Sequence, residues 1–91
     1  MKIKFMAILT TDAAIKAVEN DGYALRYVKD QSEAVCLKAV ERNGYALRYV
    51  KDQSEAVCLK AVESDGDALQ YVLNAEIFKS LAAAFSIEIE I

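Results

Sequence analysis

Residues 22–41, GYALRYVKDQSEAVCLKAVE, recur letter for letter as residues 44–63, so the chain repeats itself with a period of 22 residues. A unit that short cannot enclose a core alone, and identical units must therefore bury their apolar faces against one another. The register extends past the identical block: Ala17, Ala39 and Ala61 align, as do Gly22, Gly44 and Gly66, Leu25, Leu47 and Leu69, and Tyr27, Tyr49 and Tyr71. Three units are visible, at 10–31, 32–53 and 54–75. A degenerate fourth follows over 76–84, where Leu81 and Ala83 fall in register with Leu59 and Ala61. Such drift suits a terminal cap, whose outer face has no neighbour.

One unit reads as a long helix followed by a short one. Ser32 is an N-cap residue and Glu33 stands in the first turn. Cys36, Leu37, Ala39 and Val40 recur at helical spacing as an apolar stripe, opposite Lys38, Glu41 and Arg42. Gly44 is expected to close this helix at the C′ position in a left-handed conformation. The second helix is expected from Tyr45 to about Lys51, with Ala46, Leu47 and Val50 on one face and Tyr49 flanking it. Lys51, Asp52 and Gln53 form the turn, and Ser54 caps the next unit.

The ends read differently. FSIEIEI, residues 85–91, alternates strictly between apolar and polar, and residues 1–9 do so more loosely; both are strand signatures. Lys2 and Lys4 would pair with Glu88 and Glu90. A two-stranded ribbon is marginal in water, so it should lie on the helices or recruit strands from a second copy. The expected fold is thus mainly α: a single domain over 1–91, a short α-solenoid of three long/short helix pairs with a capping helix. Strands at both termini make it α+β overall.

Size and charge set limits. A chain of 91 residues is expected to bury only ~60–65% of its unfolded surface. The net charge of −3 is too weak to argue for attraction to membranes or nucleic acid. Its distribution is uneven, with nine basic and six acidic groups over 1–51 and two basic and eight acidic over 52–91. No stretch approaches the ~18 apolar residues of a membrane span, and MKIKFMAIL is read as mature structure rather than a signal peptide. Two cysteines one period apart, without histidine, point to a reduced cytoplasmic setting.

The phrase LKAVERNGYALRYV, varied as IKAVENDGYALRYV and LKAVESDGDALQYV, resembles the DUF4116 repeat, a domain of unknown function found in bacterial and viral proteins. The carrying features are A-V-x-x-x-G followed by A-L-x-Y, at Ala17 to Tyr27, Ala39 to Tyr49 and Ala61 to Tyr71. The resemblance covers roughly residues 13–73. It implies a helical repeat used for interaction and carries no catalytic residues.

No catalytic, metal or cofactor site is expected. Cys36 and Cys58 sit within the repeating apolar stripe and read as core thiols; a zinc site would need about four ligands. Asp30, Glu33, Asp52 and Glu55 lie at turns and helix starts, where capping explains them, and no paired carboxylates in a cleft suggest acid–base chemistry. Lys16, Lys38 and Lys60, each three residues before a glutamate, read as charge pairs on a solvated face. Tyr27, Tyr49 and Tyr71 read as packing residues.

The candidate binding residues are Tyr23, Arg26 and Lys29, copied as Tyr45, Arg48 and Lys51. The third unit changes these positions to Asp67, Gln70 and Leu73, so the scaffold does not require them. Tyr and Arg are enriched at the centres of interfaces. The expected function is a non-enzymatic protein–protein interaction module whose partner is another protein, with no membrane and no direct nucleic-acid contact. One alternative is a small inhibitor, encoded by a virus or mobile element, that covers a nucleic-acid-handling enzyme through an acidic surface at Asp65, Asp67 and Glu76. The other is a structural protein that self-associates through its terminal strands or its unlike-charged ends.

Overall fold

The computed structural model describes residues 11–85, and every regular element among them is helical. Four α-helices, α1 (Thr11–Asn20), α2 (Glu33–Arg42), α3 (Glu55–Ser64) and α4 (Ala75–Ala84), alternate with three short 3₁₀ helices. The short ones are η1 (Gly22–Tyr27), η2 (Gly44–Tyr49) and η3 (Gly66–Tyr71). Long helices stack on long ones in the order α1, α2, α3, and short on short in the order η1, η2, η3. The result is a two-layered rod, 46 × 19 × 19 Å.

Among the described residues the fold is all-α, which corrects the expected α+β class. Of the strands expected over 1–9 and 85–91, every residue but Phe85 lies outside the described residues. Phe85, placed by its alternation at the start of a strand, is instead the C-cap of α4: its N–H donates to the Leu81 carbonyl at 3.0 Å. A closed helical turn at that residue leaves no extended backbone to begin a strand there.

Capping defines the long helices. Ser32 Oγ accepts the Val35 N–H at 3.3 Å, and Ser54 Oγ accepts that of Val57 at 3.2 Å. In α4 the cap is Asn74, whose Oδ1 accepts the N–H groups of Glu76 and Ile77. The stripe that each long helix buries is Val35, Cys36, Ala39 and Val40 in α2, and Val57, Cys58, Ala61 and Val62 in α3. Val35 thus takes the place expected of Leu37, which is only partly buried, and Leu59 is exposed.

The short helices follow a three-residue rule. Gly22, Leu25 and Val28 are all buried, as are Gly44, Leu47 and Val50. Spacing of i, i+3, i+6 puts side chains on one line only when there are three residues per turn, the 3₁₀ geometry. The matching bonds are Ala24 N–H to the Asp21 carbonyl at 2.9 Å and Val28 N–H to that of Leu25 at 3.0 Å. Six residues is long for a 3₁₀ run, and burial against the long helices on both sides sustains it.

The repeat glycines do a different job from the one expected. The residue between long and short helix is Asp21, Asn43 or Asp65, in extended backbone, with φ near −150° at each. It ends one helix and starts the next. Asn43 donates its N–H to the Ala39 carbonyl at 2.9 Å and accepts the Tyr45 N–H on Oδ1 at 3.0 Å. Gly44 comes after this pivot, as the first residue of η2. A Cβ on it would stand 2.5 Å from the Ala61 carbonyl oxygen of the next unit, and one on Gly22 2.6 Å from that of Ala39. Glycine is needed because the next helix backbone presses on it, not because it terminates the previous helix. Gly66 is exposed.

The capping helix shows the cost of drift. Leu81 and Ala82 are its buried residues, while Ala83, in register with Ala61, is exposed. Ile77 and Phe78 pack partly against the core. The sequence offset therefore does not carry into the packing.

Candidate functional site

The candidate surface grows out of the short-helix layer. In η1 and η2 the pivot residue fixes the N–H of a tyrosine: Tyr23 on Asp21 Oδ1 and Tyr45 on Asn43 Oδ1, both at 3.0 Å. This fixes Tyr23 and Tyr45 at the head of their helices, leaning on the unit that follows. Tyr23 meets Tyr49 edge-on, with centroids 6.0 Å apart and planes at 90°, and Tyr45 meets Tyr71 at 5.7 Å and 68°. Such T-shaped pairs place a positive ring edge on a negative face and contribute ~0.5–1.5 kcal/mol beyond burial.

Arginines complete the ladder. The Arg48 guanidinium carbon lies 5.3 Å from the Tyr49 centroid and 5.5 Å from that of Tyr71, between rings of successive units. That of Arg26 lies 4.6 Å over Tyr27. Tyr49 and Tyr71 are half-buried by these contacts, as their reading as packing residues requires. Tyr27 departs from it: no tyrosine of a preceding unit leans on it among the described residues, and it is 58% exposed.

The third unit changes the chemistry at the top of the ladder. Asp67, at the register of Tyr23 and Tyr45, accepts the Tyr45 hydroxyl on Oδ2 at 3.1 Å. That bond, with the negative charge behind it, raises the Tyr45 phenol above the ordinary tyrosine range. Gln70 replaces arginine and turns its Nε2 back to the Asp67 carbonyl at 3.0 Å. Leu73, at the register of Lys29 and Lys51, is 79% exposed.

The six expected binding residues divide between two places. Tyr23, Arg26, Tyr45 and Arg48 belong to the ladder. Lys29 and Lys51 line a depression of about 360 Å³ that spans the turns after the first and second units, beside Asp30, Glu33, Asp52 and Ser54. Of the alternative acidic surface, Asp65 and Asp67 are neighbours at the head of η3, where Asp65 Oδ1 accepts the Asp67 N–H at 3.0 Å. Glu76 lies on another element, exposed in the first turn of α4.

The cysteines are free and buried. Burial, reinforced by the Glu33 and Asp52 carboxylates, pushes the Cys36 thiol up to about 11; burial and Glu55 push Cys58 up as well. Both are poor nucleophiles at neutral pH. Among the described residues, no group of three or more histidine, cysteine or acidic side chains is placed to hold a metal ion. No helix among them is long and apolar enough to cross a membrane. Of the lysine–glutamate pairs, Lys60 and Glu63 meet at 3.7 Å.

Residues that sequence reasoning missed hold this surface in place. Gln31 Nε2 donates to the carbonyls of Leu25 at 3.4 Å and Tyr49 at 2.9 Å, while its Oε1 accepts the Lys51 N–H at 3.0 Å. Gln53 repeats the pattern one unit on, with Leu47, Tyr71 and Leu73. Each glutamine clamps the end of one short helix to the end of the next. The available signal was a glutamine fixed in both turns without a capping role.

Helix pairs stacked through self-similar faces and presenting a side-chain ladder define an α-solenoid, the class of protein to which this one belongs. The chain belongs to the DUF4116 family, described as a domain of unknown function, whose model matches residues 12–54 and again residues 32–77. No curated protein and no solved structure matches it.

Proposed function

We propose that this chain is a non-enzymatic interaction module of the cytoplasm that offers the short-helix ladder of its first two units to another protein. The observation that carries this reading is the placement of Arg48 over Tyr49 and Tyr71, with Tyr45 edge-on to the second ring. Tyrosine and arginine held in this way keep their contact area at low entropic cost, which is what interface anchors require. The ladder also ends within the molecule, at Asp67, Gln70 and Leu73, although the backbone continues unchanged. A feature that stops while the scaffold persists is under a demand other than folding.

Two other readings draw less support. Asp65 and Asp67 spend carboxylate oxygens on the Asp67 N–H and the Tyr45 hydroxyl, so they are structural before they are a docking surface. End-to-end stacking of copies meets α4, which fills the place that the next long helix would need.

The test is capture of a partner from the native host extract, comparing the parent chain with the triple variant Tyr23→Asp, Tyr45→Asp, Arg48→Gln. The partner should be lost while far-UV circular dichroism is retained. The double variant Arg26→Gln, Arg48→Gln, confined to exposed side chains, supplies a comparison that keeps the tyrosine packing. Equal capture by parent and both variants removes the ladder from consideration.

A further inference from the structure

Four cations border the short-helix face of the first two units: Arg26, Lys29, Arg48 and Lys51. The ion pair among the described residues is Lys60 with Glu63, on a long helix, so none of these four is joined to a carboxylate there. Arg48 is also held in a particular way. Its guanidinium carbon lies 5.3 and 5.5 Å from the Tyr49 and Tyr71 centroids, and a guanidinium beside aromatic rings still presents an N–H fork that matches a planar, two-oxygen acceptor.

The same stacking weighs against a nucleobase. Tyr49 and Tyr71 each carry a tyrosine against them, and Arg48 over them as well. Tyr27, exposed on its remaining side, is a single ring, whereas strand-binding surfaces stack successive bases on successive open rings.

Resting on the ladder as the binding surface, we infer that its ligand is an acidic peptide segment whose carboxylates are taken by Arg26 and Arg48. Stacked helices lie ~8–10 Å apart, and a polyproline II segment, with three residues per turn and a rise of ~3.1 Å, returns a side chain to the same face every ~9 Å, so carboxylates three positions apart reach successive arginines. The footprint is two carboxylates long. Beyond Arg48 the register offers Gln70 in place of a cation and the Asp67 carboxylate in place of a tyrosine. A third acidic group there meets a like charge, which fixes where the segment ends.

The experiment is fluorescence anisotropy with a labelled peptide of about twelve residues carrying glutamate at every third position, the polyproline II repeat, in a Gly/Ser background. Its glutamine counterpart and an oligothymidylate of similar length serve as competing probes. The glutamate peptide should bind saturably, weaken by roughly tenfold or more with Arg26→Gln or Arg48→Gln, and weaken again as salt rises. Lys60→Gln should leave it unchanged. Arg48→Lys, which keeps the charge and loses the fork, should fall between parent and Arg48→Gln.

Equal binding of the glutamate and glutamine peptides overturns the inference, as does tighter binding of the oligothymidylate. If no peptide binds while host-partner capture still depends on Tyr23, Tyr45 and Arg48, the acidic ligand is wrong and the ladder stands. If capture is indifferent to those residues too, both fall. Far-UV circular dichroism of each variant assigns any loss to the surface rather than to unfolding.

Discussion

Gln53 Nε2 donates to the Tyr71 carbonyl at 2.9 Å, across eighteen residues of chain, while its Oε1 accepts the Leu73 N–H at 3.0 Å and lies 3.6 Å from the Cys58 sulfur. One amide side chain thus closes the end of η3, the turn after it and the core thiol of α3. Gln31 does the same for Tyr49, Lys51 and Cys36. Ala75 occupies this register in α4 and makes no such clamp.

Gln53→Ala should cost ~1–3 kcal/mol, because it deprives the part-buried Tyr71 carbonyl of its partner, while the exposed Leu73 N–H can turn to water. Gln53→Glu should be no better despite its equal size, since a carboxylate oxygen would then face the Leu47 and Tyr71 carbonyls. Urea unfolding of the three proteins measures both effects. A Gln53→Glu protein as stable as the parent would show that the carbonyls do not need the amide donor.

Gly44→Ala and Gly66→Ala should separate sharply. The first places a Cβ 2.5 Å from a backbone oxygen, which no side-chain adjustment relieves, and should cost ~1–3 kcal/mol or more. The second falls on an exposed position and should stay within ~0.5 kcal/mol of the parent. Thermal melts resolve the difference, since ~1 kcal/mol shifts the midpoint of a chain this size by ~4–8 °C.

Tyr45 should be the tyrosine most changed by a substitution at Asp67. The carboxylate accepts the hydroxyl of the neutral phenol and repels the phenolate, so Asp67→Asn should lower the Tyr45 titration toward the ordinary value of 10.0. Phenolate absorbance against pH reads this directly, with Tyr45→Phe identifying the residue. A titration curve unmoved by Asp67→Asn would mean that the bond does not persist in solution.

Cys36 gives stability a pH dependence of known sign. Its thiol is raised in the folded chain from 9.0 to about 11, so the unfolded chain loses its proton first as pH rises. The stabilising preference is therefore fully present below about 9 and is lost as pH climbs through the window up to about 11. Cys36→Ala should flatten the fall in stability across that window relative to the parent. The same burial predicts slow reaction of both thiols with a neutral disulfide reagent at pH 7, speeding up only on unfolding.

The period and the local signals of one unit were legible in the letters. Ser32 and Ser54 cap as expected, Cys36, Ala39 and Val40 are buried as the stripe requires, and Leu47 and Val50 face the core. These follow from rules that operate within a few residues: an oxygen in reach of a free N–H, or apolar groups returning to one side of a helix. The letters also marked Tyr23, Arg26, Tyr45 and Arg48 as positions that the third unit changes, but not their contacts with Tyr27, Tyr49 and Tyr71.

Packing between units assigns each repeated letter its role. Gly44 is a contact point for Ala61 rather than a helix terminator, and Gln53 is a clamp rather than a turn residue. Tyr27 and Tyr49 are the same letter at the same register, yet one is open and the other half-buried, since only Tyr49 has Tyr23 leaning on it. The letters alone set the repeat, the order of long and short helices and the composition of the stacked faces. How closely the units approach, and therefore which backbone carbonyl meets which side chain, depends on the distance between neighbouring helices. A one-dimensional pattern records periodicity along the chain and carries no measure of that distance.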